Sequence, residues 1–170
     1  MTRPLFSQIS PPHQRVWGTE QVICGIGNTH IVKVIRTLQP TSVQVHPQSL
    51  GIPPEQDGEI WHVFDSIPES ELHLGFSIET NRREVLHAIQ EGTITSLMHC
   101  YHPSAGDCFW VPAGTIHCLG AGLAILEIRP SEPPTWRLYD WNRQPERRLH
   151  IEAGLNEIEK QINPFIDKEG

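Results

Sequence analysis

Gly106-Asp107-Cys108-Phe109-Trp110-Val111-Pro112-Ala113-Gly114-Thr115-Ile116-His117 is the stretch on which the reading of the fold turns. Gly106 and Asp107 turn the chain into a short apolar strand. Pro112-Ala113-Gly114 turn it out again, and His117 opens the next strand facing inward. A second stretch, Ser42-Val43-Gln44-Val45-His46-Pro47, puts Gln44 and His46 two residues apart on a strand, hence on one face. A third contributes Glu59, two residues before Trp61. An amide oxygen, two imidazole nitrogens and a carboxylate from three separated segments meet only where strands close around them. Gln44, His46, Glu59 and His117 are therefore candidate ligands of one metal ion inside a β-barrel. For each, the plainer alternative is a hydrogen-bonded core residue. Two histidines, a carboxylate and an amide suit Zn²⁺ and other borderline divalent metals.

The remaining sequence supports a mainly β fold. Alternation and turn residues predict strands over 16–24, 31–38, 43–46, 59–66, 71–77, 93–101, 107–112, 116–119, 123–129 and 136–141. A turn is expected at Gly25-Ile26-Gly27-Asn28 and a loop over 48–58. Asn81 with Glu84 three residues on is a capping signal for a short helix ended by Gly92. A terminal helix is expected over 152–163, ended by Pro164. The length predicts a single domain over 1–170, with 1–15 a Pro-rich arm on the surface and 150–170 a tail that holds the helix.

Prolines number 15 and hydrophobic residues make up 38% of the chain, which favours short strands and turns over long helices. The net charge of −7 argues against a nucleic-acid partner, which needs clustered cations, but not against a phosphorylated small molecule. Cys24, Cys100, Cys108 and Cys118 have no zinc-finger spacing and apolar neighbours, so reduced core thiols are expected. No apolar run reaches membrane-spanning length and no signal peptide opens the sequence, so a cytoplasmic protein with no membrane partner is expected. Parity turns His62 away from the face of Glu59, and His99 and His102 read as structural or surface residues.

The spacing from Gly106 through Pro112 and Gly114 to His117 is that of the second motif of the cupin superfamily, whose fold is a jelly-roll β-barrel. With Arg15-Val16-Trp17-Gly18, the Gln44-Val45-His46-Pro47 stretch, Glu59-Ile60-Trp61, Gly92-Thr93-Ile94 and the run from Glu127-Ile128 to Arg137-Leu138-Tyr139-Asp140-Trp141, the chain resembles type I mannose-6-phosphate isomerases in their short bacterial form. The resemblance covers about residues 16–150. It implies a zinc-dependent aldose–ketose isomerase of carbohydrate metabolism that interconverts mannose 6-phosphate and fructose 6-phosphate. It implies Gln44, His46, Glu59 and His117 as zinc ligands, Lys33 and Arg137 as catalytic residues, and Ser42 at the substrate phosphate. Lys33 serves as a base only if burial or the nearby metal lowers its pKa; otherwise it is a solvated strand lysine.

The sequence departs from the family at three places. Asp57 stands where a Lys usually precedes the ligand Glu, which predicts an anion near the substrate. Pro133 stands in place of an Asp, with Glu132 beside it as a substitute substrate-binding carboxylate. A helical insertion before the Lys33 strand and a second cupin-like unit after Trp141 are missing, so a shallower, wetter pocket is expected, and a homodimer is one way to wall it. The alternative functions are a metal cupin that binds a sugar or sugar phosphate without this catalysis and, less in keeping with Gln44, a metal-dependent dioxygenase.

Overall fold

The structure, a computed structural model, describes residues 9–26, 30–130 and 132–162. Two antiparallel sheets face each other. The first contains β1 (His13–Arg15), β2 (Gly18–Ile26), β3 (His30–Thr37), β5 (Gly58–Ser66), β8 (Cys108–Pro112) and β10 (Leu123–Arg129), in the order β1-β2-β3-β10-β5-β8. The second contains β4 (Val43–Val45), β6 (Leu72–Phe76), β7 (Met98–Tyr101), β9 (His117–Leu119) and β11 (Trp136–Tyr139), in the order β11-β4-β9-β6-β7. Helix α1 (Arg82–Gln90) and helix α2 (Ile151–Ile162) complete the elements. This is the expected cupin barrel with two short helices.

The period-2 pattern sets what each face meets. Along β10, Leu123, Ile125, Glu127 and Arg129 are buried, the first two in the apolar half of the barrel interior with Trp61, Val63 and Leu119. The outer face of the second sheet, with Val43, Val45 and Leu138, packs under Val85 and Ile89 of α1 and Leu155 and Ile158 of α2. The barrel therefore has two cores, one enclosed by the sheets and one between sheet and helices. Arg82 joins the helices, reaching Glu152 at 2.7 Å and Glu159 at 3.0 Å.

The capping signals act as expected. Asn81 accepts from the Arg83 and Glu84 amides, and Glu84 returns the bond to the Asn81 amide, a complete capping box. Gly92 leaves the helix at φ 70°, where a Cβ would lie 2.9 Å from the Tyr139 hydroxyl.

Several expectations need correction. The strand expected over 93–101 begins with a 3-10 turn, Ile94–Leu97, because the Thr93 amide bonds back to Ala88 and Ser96 to Thr93; only Met98–Tyr101 is strand. Within the expected arm, His13–Arg15 pairs with β2 as a strand. The last strand ends at Tyr139, since Trp141 and Asn142 have positive φ. Cys100 and Cys108 are exposed, on the edge strand β7 and at the start of β8; Cys118 alone of the described thiols is in the core. The side chain of Cys24, the expected turn beyond Ile26 and Pro164 lie outside the described residues. Among the described residues no helix is long and apolar enough to cross a membrane.

Candidate metal centre

β4 and β9 meet at one register pair, Gln44 opposite His117, which brings the two motif stretches side by side. The turn of Gly114, at φ 81°, donates its amide to the His46 carbonyl at 2.6 Å and fixes the end of β8 against β4. β5 brings Glu59 from the opposite sheet, its strand paired with β8 and β10.

The ligand atoms of His46, Glu59 and His117 lie within 4.8 Å of one another, and all three residues are buried. His46 Nδ1 is 3.1 Å from the Pro134 carbonyl, and His117 Nδ1 is 2.8 Å from the Thr115 carbonyl. A carbonyl only accepts, so each Nδ1 carries the proton and each Nε2 presents a lone pair to the centre. Burial holds both imidazoles below their ordinary pKa, His46 at about 4. The Gln44 amide nitrogen is 3.3 Å from each Nε2, and Ser42 donates to the Gln44 amide oxygen at 2.9 Å. A half-turn of that amide exchanges its ends, and Ser42 accepts as readily as it donates, so Gln44 can equally present oxygen.

Glu59 Oε2 accepts from Trp61 Nε1 at 2.9 Å, whereas Oε1 is buried without a hydrogen bond, although His46 Nε2 is 3.2 Å away and Arg129 3.0 Å. Burial opposes the ionised form, but the facing His46 and Arg129 hold the Glu59 carboxyl low, at about 2. Two imidazole lone pairs, an ionised carboxylate oxygen without a hydrogen bond and a rotatable amide are the donor set a borderline divalent cation requires.

Beside this cluster a cavity of about 240 Å³ opens, and Ser42, Lys33, Glu127, Arg129 and Arg137 line it. Lys33 is buried, not solvated, with Nζ 2.5 Å from Glu132 and 3.4 Å from Glu20. Burial alone would lower its pKa; Glu127, Glu132 and Glu20 outweigh burial and raise it, so the side chain remains an ammonium. Burial by itself therefore does not bring Lys33 to the lowered pKa that a base requires. Glu132 is an exposed partner of Lys33. Arg137 is half-buried and donates to the Arg148 carbonyl at 2.9 Å, with its Nε buried and unpartnered. Asp57 is buried beside the centre, in a crevice lined also by His46, Glu59 and His117, and its carboxylate accepts from the Ser49 amide and hydroxyl, tying the preceding loop. As parity required, His62 turns away from the centre, toward Cys108.

The sequence reading did not single out Glu127 and Arg129 as site residues. Arg129 lies between Glu59 and Glu127, at 3.0 and 3.4 Å. Burial and the Glu59 charge push the Glu127 carboxyl up to about 8. The signal was their inward parity with Leu123 and Ile125 at the end of an apolar strand.

Fold and site together define a cupin with a His–Glu–His cluster at the edge of a polar cavity. No family profile matches the chain. Its sequence is 31% identical over 167 residues to the "Probable mannose-6-phosphate isomerase GmuF" of Bacillus subtilis, covering 91% of this chain and 52% of that protein. It is 32% identical over 135 residues to the mannose-6-phosphate isomerase of Streptococcus mutans, covering 74% and 42%. The crystal structure of the Bacillus subtilis mannose 6-phosphate isomerase matches with a TM-score of 0.66 at 27% identity, over 79% of this chain and 46% of that one. The chain is a cupin-fold homologue of mannose-6-phosphate isomerases and spans about half the length of the curated relatives it matches.

Proposed function

We propose that this chain carries the metal and substrate site of an aldose–ketose isomerase acting on a sugar phosphate, interconverting mannose 6-phosphate and fructose 6-phosphate. The observation that carries the reading is the convergence of His46 Nε2, His117 Nε2 and Glu59 Oε1 at the wall of a cavity that also holds a buried lysine, an arginine and a serine. The relatives' names supply the substrate class.

Gln44, His46, Glu59 and His117 would hold a divalent ion, Zn²⁺ by donor type. When bound, the ion supplies a Lewis acid for the sugar's oxygens at C1 and C2. The chain's own residues account for the rest. Isomerisation removes the C2 proton of the aldose and returns a proton to C1 through an enediol, so a proton carrier must reach both carbons. Among the described residues, Glu127 is the buried carboxyl lining the cavity that does not belong to the ligand set, and it takes this role. Lys33 and Arg137 remain cationic and, with the Ser42 hydroxyl, favour a phosphate in the cavity. Ser42 also sets the Gln44 amide. Cytoplasmic location and a homodimer that completes the cavity wall belong to the same reading.

The test is to load purified protein with Zn²⁺, supply mannose 6-phosphate and follow fructose 6-phosphate. Turnover that is lost together with bound metal in His117→Ala supports the proposal. Metal and sugar-phosphate binding without turnover would replace it with the second reading, a binding cupin.

A further inference from the structure

A second group of metal-type donors lies on the other side of the smaller sheet. His73 stands on β6 between Leu72 and Leu74, which turn into the barrel, so its ring points out of the opposite face. Its register partners are Cys100 on the edge strand β7 and Cys118 on β9. Glu71 shares the parity of His73. The ligand atoms of Glu71, His73 and Cys100 lie within 4.8 Å of one another, and no part of the isomerase reading uses them.

The three groups are of the types that ligate a borderline cation, with His73 half-buried between the exposed Glu71 and Cys100. His73 Nδ1 is buried and has no hydrogen-bond partner. Burial lowers the pKa of the ring, so a lone pair is available at neutral pH. Cys100 and Glu71 are exposed at the edge of the sheet, and partial desolvation and the nearby Glu71 carboxylate raise the thiol pKa. A thiol within 4.8 Å of a carboxylate and a neutral imidazole can exchange its proton for a metal. Cys118, in the helix-side core with its thiol pushed up to about 12, stays protonated and outside the set.

We propose that Glu71, His73 and Cys100 bind one borderline divalent ion such as Zn²⁺, independently of the barrel site. The thiol proton goes to solvent, the thiolate, imidazole and carboxylate take the ion, and a fourth position stays open to water. A thiolate ligand excludes Mg²⁺ and Ca²⁺ as natural occupants. The bound ion would fasten the edge strand β7 to β6.

Co²⁺ separates the two sites, because the barrel site contains no sulfur and a sulfur-to-cobalt charge-transfer band reports a thiolate ligand, which substitution then assigns to Cys100. Metal-free wild-type protein titrated with Co²⁺ should develop that band, and Zn²⁺ should abolish it by competition. Cys100→Ser should lose the band and lower the Zn²⁺ stoichiometry from two to one. Cys108→Ser, whose exposed thiol lies 3.3 Å from His62, should keep both. No band at saturating Co²⁺, a band that survives Cys100→Ser, a band lost in Cys108→Ser, or binding only at millimolar metal overturns the proposal.

Discussion

Replacing Arg129 with Met tests how the barrel balances its buried charges. Arg129 is 6% exposed, with its guanidinium 3.0 Å from Glu59 and 3.4 Å from Glu127. At an effective dielectric of about 20, the nearer contact is worth roughly 5 kcal/mol. Breaking a buried pair by removing one partner costs about 3–5 kcal/mol, because a charge is left without compensation. The variant should fall at the low end of that range, since Glu127 is already held largely protonated. For a chain of this length about 3 kcal/mol corresponds to a fall in Tm of roughly 6–12 °C. A cation on Glu59 supplies the lost countercharge, so metal should recover most of the loss and bind Arg129→Met more tightly, by a factor on the order of 10–100. Thermal unfolding followed by circular dichroism, with and without Zn²⁺, measures both effects. Metal-free Arg129→Met within about 1 kcal/mol of wild type, or equal stabilisation of both proteins by metal, would refute the reasoning.

Glu127→Gln should keep its bound metal and lose about 10²–10⁴-fold in kcat, read by paired metal analysis and isomerase kinetics. Leu155→Ala opens the helix-side core, where Leu155 is 1% exposed, and should cost about 2–5 kcal/mol in urea unfolding while leaving metal content unchanged. In metal-free protein His46 is held at about 4, below its ordinary 6.5, so the unfolded chain binds a proton that the folded chain does not. That contribution to stability is complete above about pH 6.5 and is lost as pH falls toward 4, by roughly 3 kcal/mol, which unfolding at stepped pH in the presence of chelator should show.

The barrel and its inward donors were legible because two local signals agree. Strand parity decides which side chains face inward, and the Gly-Pro-Gly turns decide where the strands end. Neither signal carries information about long-range partners. Lys33 read as a strand lysine that could be solvated, and its ammonium state depends on Glu127 and Glu132, nearly a hundred residues away. Asp57 read as an anion near the substrate, and its bonds to Ser49 are made across a loop whose path no periodicity describes. Arg129 ends the expected strand 123–129 and did not read as a site residue, although its parity with Leu123 and Ile125 already placed it inside. Cys100 and Cys108 have apolar neighbours in sequence, but one lies on an edge strand and the other at a strand's start, where apolar neighbours do not ensure burial.

The carbonyls of Pro134 and Thr115 hold the two imidazoles by their Nδ1 protons. Both are main-chain groups, so no single side-chain replacement deletes them. The aim of the ligands is therefore recorded in the course of two loops and not in the letters at those positions. Sequence drift at 115 and 134 can proceed while the centre stays aligned, whereas an insertion or deletion in either loop would misdirect a histidine that is itself unchanged. A distant relative with all four donor residues in place but a different loop length deserves less trust as a metal binder than one with altered letters and the same length.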